Sequence, residues 1–223
     1  MIKITREKFG MKILELRYSE ELTEEKGYDA ILIRSFKDLD CPKEWNKTEH
    51  IAMTINLTKQ NLKIFKAMSK NYQKQIRREE REGIEVSIGT KEDLKEFYDR
   101  LFVKLYKGRD LKVWSYNYLK QGTLWIAKKN NKILSGSIVF NDKDYATQVF
   151  TVSEHIEYNG NRLLIWKAIQ YYKNKGLKEF NFGGGFSDYK RRFGSYKKSV
   201  WNYMKYVSWK ARILNKFRDI IKK

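Results

Sequence analysis

The 223-residue chain holds one cysteine, one proline and two histidines. Each scarcity removes a class of function. Cys41 alone cannot close an intrachain disulfide. With His50 and His155 as the only imidazoles, no ligand spacing for structural zinc and no Cys/His nucleophile pair exists, so no metal is expected. Cys41, beside the lone Pro42 in a turn-rich stretch, reads as incidental. No apolar run approaches the length of a spanning helix, and the start MIKITREKFG lacks the hydrophobic core of a secretion signal. The expectation is a cytoplasmic protein. Acidic residues are also scarce, 27 against 47 Lys and Arg, for a formal net charge of +20. Such a field favours anionic partners: nucleic acid, phosphorylated cofactors or acidic membrane. More than half of the excess lies after residue 188, where eight Lys and four Arg face Asp219 alone.

What is abundant points to a packed globule. Hydrophobic residues make up 41% of the chain and aromatics 15%, and the length suits one full core or slightly more. Residues 1–56 read as a compact α/β lead-in, with strands at 28–36 (YDAILIRSF) and 50–57 (HIAMTINL). Over 58–82, Leu62, Phe65, Met68, Tyr72 and Ile76 recur at helical spacing, with Thr58 as N-cap and Gly83 as stop; the spacing predicts one amphipathic helix. Its Arg77, Arg78 and Arg81 suit either a ligand-facing cluster, with Arg77 the substrate-binding candidate, or ordinary surface pairing with Glu79, Glu80 and Glu82. A strand at 83–88, a helix at 91–106 and a short helix at 114–121 follow. Strands at 124–128, 133–140 and 145–152, joined by Asn130-Asn131 and Asp142-Lys143-Asp144 turns, form an antiparallel meander. A helix at 162–175 ends on Gly176, and a strand at 178–182 lies beside the meander. A last strand is expected at 200–207, and a basic amphipathic helix at 208–223.

The strand at 178–182 runs into Gly183, Gly184 and Gly185, then into Tyr189-Lys190-Arg191-Arg192-Phe193-Gly194. Consecutive glycines permit positive φ and close approach of a ligand. Next to concentrated positive charge they suit a phosphate- or carboxylate-bearing substrate. The plain alternative is a surface loop with a solvated basic flank.

The element order, together with KNYQKQIRREEREGIEV, NRLLIWKAIQYYKNKGLKEFNFGGG and SDYKRRFGS, resembles the Fem-type branch of the GNAT acyltransferase superfold over roughly residues 50–196. The resemblance implies an α/β (α+β) fold with a mixed, mainly antiparallel central sheet flanked by helices. It implies a lead-in at 1–56 that is the remnant of a first GNAT unit, and an acyltransferase domain at 57–207. The family includes aminoacyl-tRNA-dependent transferases that build peptide cross-bridges on cell-wall (peptidoglycan) precursors, and single-domain relatives regarded as acetyltransferases for surface polysaccharides. The co-substrate is then acyl-CoA or aminoacyl-tRNA, and the acceptor an amine or hydroxyl on a phosphorylated or anionic molecule.

In that frame the donor lies against the strand at 145–152, with backbone amides near Phe150, Thr151 and Val152 on its carbonyl. Acyl-CoA users carry a Gln/Arg-x-x-Gly-x-Gly/Ala turn whose amides hold pyrophosphate at a helix start. The corresponding stretch here is Glu157-Tyr158-Asn159-Gly160-Asn161-Arg162, in which only Gly160 fits; Gly160, Asn161 and Arg162 are the cofactor candidates. The motif lysine falls on Lys190, read as contacting an acceptor phosphate or transition-state charge. Tyr189, Arg191 and Arg192 join the glycines as substrate-binding candidates. Glu154, His155, Glu157 and Asp188 are the candidate bases, though no triad spacing supports any of them. The basic C-terminal helix suggests peripheral contact with anionic membrane on its inner face. Two rival readings stand beside this one: a non-enzymatic nucleic-acid-binding protein, and a GNAT scaffold that binds without catalysing.

Overall fold

A computed structural model describes residues 1–154 and 156–221, the side chains of 216–221 excepted. The strands in chain order are β1 (Ile2–Lys8), β2 (Met11–Arg17), β3 (Ala30–Ser35), β4 (Asn46–Asn56), β5 (Glu85–Ile88), β6 (Thr123–Lys129), β7 (Lys132–Asn141), β8 (Tyr145–Ser153), β9 (Glu179–Gly184) and β10 (Tyr196–Tyr206). The helices are α1 (Asn61–Ala67), α2 (Lys70–Arg81), α3 (Lys91–Glu96), α4 (Val103–Gly108), α5 (Tyr116–Leu119), α6 (Asn161–Asn174), α7 (Asp188–Arg191) and α8 (Trp209–Ile221). A π-helical stretch, Phe97–Phe102, carries α3 into α4. The fold is mixed α/β with mainly antiparallel strands flanked by helices. It divides into two compact units, Met1–Ala52 with Lys198–Lys223, and Met53–Lys197; the boundaries fall within β4 and β10.

The first unit orders its strands β1-β2-β3-β10. β1 and β2 form an antiparallel hairpin, β2 runs parallel to β3, and β3 pairs antiparallel with β10. Strand alternation sends Leu14, Leu16, Ile31 and Ile33 to one face, where they pack with Trp45 and Tyr203. Glu15 faces the other way, fully buried beside Arg6, Arg17 and Arg34. The described residues before 57 are strands and turns, so the α/β character expected of the lead-in is corrected to all-β. The strand expected at 200–207 is the body of β10, and it groups with the lead-in rather than with residues 57–197.

The second unit orders its strands β4-β9-β8-β7-β6-β5. The meander forms as the turn chemistry requires. Asn130 and Asn131 both take positive φ, 50° and 61°, the pairing that a tight hairpin needs. Asp142 Oδ1 accepts the Asp144 and Tyr145 amides at 2.9 and 2.8 Å. One face packs α2 and α6 through Tyr72, Ile76, Leu164 and Ile169. The opposite face packs the π stretch, where Phe97 lies so close to Gly136 that a Cβ there would sit 2.5 Å from the ring.

The single helix expected over 58–82 is two helices. Thr58 does not cap it, since its amide and hydroxyl both donate to Asn56 Oδ1. Met68 is extended (ψ 153°), and Ser69 starts α2 by accepting the Tyr72 amide at 3.3 Å. A serine N-cap stabilises a helix start by about 1 kcal/mol. Of the expected apolar positions, Leu62 is 60% exposed, and Ile64 is the buried residue of α1.

Candidate active site

The parallel pair β8–β9 holds for only three residues, Tyr145↔Glu179, Ala146↔Phe180 and Thr147↔Asn181. Beyond them the two strands separate. On β9, Asn181 Oδ1 takes the Gly183 amide at 2.6 Å, in place of a cross-strand partner. Gly183 turns at φ 73°, with its Cα so close to β8 that a Cβ would meet the Gln148 carbonyl at 3.3 Å. On β8, the register with β7 slips between Ile138 and Val139, a bulge that bends the strand. The bend is braced from within. Gln148 Nε2 donates to Ser137 Oγ at 3.0 Å, and Ser137 Oγ donates to the Phe150 carbonyl at 2.9 Å.

The split leaves one edge of β8 without a strand neighbour. The Glu154 amide donates to the Leu134 carbonyl at 2.8 Å, and the ladder alternates. Val152 and Phe150 therefore turn their amides toward β7, while Thr151 and Ser153 turn theirs toward the split. Of the three amides proposed for the donor carbonyl, only that of Thr151 faces it. The Phe150 side chain instead lies in an aromatic cluster with Phe102, Tyr106, Trp114 and Tyr118.

Lys190 does not reach outward. Its ammonium donates to the carbonyls of Gly184 at 2.6 Å, Gly185 at 3.1 Å and Gly183 at 3.4 Å, and burial pushes its pKa down. It fixes the glycine loop at the mouth of the split. The rest of SDYKRRFGS is built into the same support. Tyr189 OH accepts from Asn161 Nδ2 at 3.0 Å, and Asn161 Oδ1 accepts from Thr151 Oγ1 at 2.9 Å, so a hydrogen-bonded chain runs from α7 through the start of α6 to β8. Burial drives the Tyr189 hydroxyl pKa far upward, which keeps it protonated. Phe193 is sealed among Tyr72, Phe182 and Tyr189. Gly194 passes so near the Ala67 backbone that any Cβ would clash at 2.8 Å.

The candidate bases fare differently. Burial alone would raise Glu154, but Lys132 at 3.1 Å and Arg100 at 2.5 Å hold its pKa below the ordinary value, which makes it a weak base. Asp188 is exposed between Arg191 at 3.0 Å and Arg192 at 3.5 Å, so those two arginines are engaged with it. Glu157 is exposed and accepts from the Tyr158 hydroxyl. His155 lies outside the described residues. Arg77 is not part of this cluster; it is exposed, stacks on Phe65 at 5.4 Å, and lines an open groove of about 1120 Å³ with Lys66, Lys70, Lys74 and Arg81. A second cavity, of about 480 Å³, opens where β8 ends, between Val152, Glu154 and the cations Arg100, Lys104 and Arg109.

Glu79 is the residue that the sequence reading missed. It is 1% exposed, and its Oε2 accepts the Leu163 amide at 2.8 Å. The Gly160 amide also bonds it, and Arg162 lies at 4.0 Å. Asn159 Oδ1 takes the Asn161 amide at 3.1 Å. The anion-binding end of α6, where Gly160, Asn161 and Arg162 were expected to hold pyrophosphate, is thus occupied by the chain's own carboxylate and amide. The signal was present: Glu79 continues the Tyr72–Ile76 stripe, so it falls on the buried face of α2.

Burial pushes the Glu79 carboxyl up; the Leu163 amide, Arg162 and the Gly160 amide pull it back without cancelling the rise. A raised carboxyl stabilises the fold most when protonated, and that stabilisation is lost as pH climbs through its folded value. Glu79→Gln keeps an acceptor for Leu163 and cannot ionise. Its urea midpoint should therefore gain on that of the parent from acid to neutral pH, whereas Glu79→Ala, which orphans the buried amide, should lose about 1–3 kcal/mol throughout.

A bulged strand splayed from its parallel neighbour, with an α6 start beside the split, is the layout of a Fem-type GNAT fold. A family model described as an acetyltransferase (GNAT) domain matches residues 66–191. The chain belongs to the GNAT acetyltransferase domain family. Solved structures agree in fold. FemX superposes with a TM-score of 0.66 at 11% identity, over 96% of this chain and 85% of that one. The C-terminal domain of a candidate lysylphosphatidylglycerol synthetase from Agrobacterium fabrum gives 0.59 at 10%, over 95% and 82%. L-PGS from Bacillus licheniformis gives 0.55 at 14%, over 86% and 73%. No curated protein sequence matches the chain significantly. No helix among the described residues is long and apolar enough to cross a membrane, and no group of three or more His, Cys, Asp or Glu among them is placed to hold a metal.

Proposed function

We propose that the chain transfers an aminoacyl group from a charged tRNA to an amine or hydroxyl of an anionic cell-envelope precursor. The observation that carries this reading is the filled start of α6. An acyl-CoA held in the GNAT manner needs those amides for its pyrophosphate, and Glu79 already takes the Leu163 and Gly160 amides. A 3′-aminoacyl ester needs no such seat. The even stripe Lys70, Lys74, Arg77 and Arg81 along one face of α2 suits the phosphate backbone of the RNA instead.

The donor carbonyl lies in the split, its oxygen toward the Thr151 amide, which stabilises the oxyanion as the acceptor attacks. The new C–N or C–O bond forms, the ester C–O bond breaks, and the 3′-oxygen leaves with the proton given up by the acceptor. Lys132 and Arg100 hold the Glu154 carboxyl below its ordinary pKa, which makes it a poor base, and Asp188 is paired with Arg191 and Arg192, so the reactants carry that proton between themselves. The acceptor's negative charge faces Lys104 and Arg109 in the cavity at the end of β8. FemX and L-PGS share the fold, and their likeness favours an envelope acceptor over a polysaccharide one. The nucleic-acid-binding alternative draws nothing from the family match.

The test is to offer the purified chain a panel of acyl-CoAs and aminoacyl-tRNAs with anionic amine acceptors. Release of uncharged tRNA coupled to product supports the proposal. Stoichiometric thiol release from an acyl-CoA overturns the donor assignment.

A further inference from the structure

The first unit carries a surface that acyl transfer does not explain. Helix α8 starts under a Ser208 cap, whose Oγ accepts the Ala211 amide at 3.2 Å. Asp29 anchors that start, its carbonyl taking the Val207 amide at 2.8 Å and the Ser208 amide at 3.1 Å. Ala211 is fully buried against Met11, Ile13 and Ala30. Helical geometry then places Trp209 and Ile213, one turn apart, on the side facing away from the sheet. Trp209 is 75% exposed and Ile213 43%. A surface helix ordinarily turns polar residues outward. Over 209–214 this one exposes Trp209, Ile213 and Leu214 beside Lys210 and Arg212.

The turn between β1 and β2 comes to the same place, because Lys210 Nζ donates to the Gly10 carbonyl at 3.2 Å. Its tip is Phe9, 73% exposed and held at φ 52°. The two-residue turn requires positive φ at both Phe9 and Gly10, 52° and 64°, a conformation that a bulky L residue takes only at a cost. Lys8 Nζ stands 5.2 Å over the ring. The Lys210–Gly10 contact thus joins two elements that each expose an aromatic residue, with Lys8 over the Phe9 ring and Arg212 Nε donating to the Tyr206 carbonyl at 3.2 Å.

We infer that the β1–β2 turn and the outward face of α8 form one membrane-docking surface. Phe9, Trp209 and Ile213 enter the interface of an anionic bilayer, and Lys8, Lys210 and Arg212 meet its headgroups. Aromatic and aliphatic side chains flanked by Lys and Arg are the composition that partitions into that zone. Charge selects this occupant over a second copy of the chain, whose identical patch would set the same three cations against their like.

The test is co-sedimentation of the full chain with vesicles of phosphatidylglycerol and phosphatidylcholine, or of phosphatidylcholine alone, and it needs no catalytic turnover. Phe9→Gly removes the ring at a φ that glycine prefers, and Trp209→Gln removes the other; thermal melting confirms that both variants fold. The parent should pellet with phosphatidylglycerol vesicles and not with phosphatidylcholine alone, and the double variant should partition at least about tenfold more weakly. Equal partition of the folded double variant would overturn the inference, as would absence of parent binding. Concentration-dependent self-association of the parent, abolished in the double variant without any vesicle binding, would assign the surface to a second copy instead.

Discussion

Glu15→Ala is expected to destabilise the first unit by about 3–5 kcal/mol, the usual cost of stripping one partner from a buried ion pair. Glu15 is 1% exposed, with Arg17 Nε at 2.8 Å, Arg34 Nε at 3.0 Å and Arg6 Nε at 3.6 Å. The cluster follows from register. Arg17 lies opposite Ile2 and Arg34, and Glu15 opposite Ile4 and Leu32, so residues 6, 15, 17 and 34 share one face of three adjacent strands. Alanine would leave three guanidinium groups facing one another without their shared carboxylate. Burial pushes the Glu15 carboxyl up, but Arg17, Arg34 and Arg6 outweigh it and hold the pKa below the ordinary value. A depressed carboxyl stabilises the fold above its unfolded pKa, and that stabilisation is lost as pH falls through the folded value. Urea unfolding should therefore show the parent's advantage over Glu15→Gln shrinking toward acid pH. A Glu15→Ala midpoint equal to the parent's at neutral pH would contradict this account of the cluster.

Lys190→Met is expected to lower kcat/KM for transfer about a hundredfold, the scale of loss when a reacting group shifts by an ångström. The lysine's three carbonyl contacts set the path of Gly183 to Gly185, and that path is one wall of the split. Methionine keeps the unbranched stem but ends one atom short of the ammonium and cannot donate, so the glycines would lose their common anchor while Phe193 and Gly194 still hold α7 in place. Melting should change little, since Lys190 is only half-buried. Lys190→Arg should not rescue fully, because a planar fork cannot converge on three neighbouring carbonyls as an ammonium does. A folded Lys190→Met protein with full activity would remove the loop from the catalytic machinery.

Much of this was legible in the chain. The alternation at 123–153 with its Asn130-Asn131 turn, and the apolar face of α6 ending on Gly176, specify the meander and its crossover directly. The glycine run and its basic neighbours marked the loop, but not that Lys190 folds back on it. That contact is made when the short α7 returns the chain to the same strand end, a tertiary event with no local pattern. The β1–β2 hairpin escaped because Phe9-Gly10 is not a usual turn pair. The break at Ser69 escaped because Leu62, Phe65, Met68, Tyr72 and Ile76 keep helical phase across it. Glu79 was hidden by composition: in an Arg/Glu-rich run a carboxylate suggests surface pairing, and only its place on the Tyr72–Ile76 stripe sets it apart.

The measurement that bears most directly on the site is an amide NMR titration with a short RNA ending in a non-hydrolysable 3′-aminoacyl-adenosine, run beside a matched acyl-CoA analogue. Saturable shifts at Thr151, Ser153 and Gly183 to Gly185 with the RNA, and none at Leu163 with the CoA compound, are the expected result. Shifts that leave β8 and the glycine loop untouched, or a CoA compound that displaces Glu79 from the Leu163 amide, would contradict it.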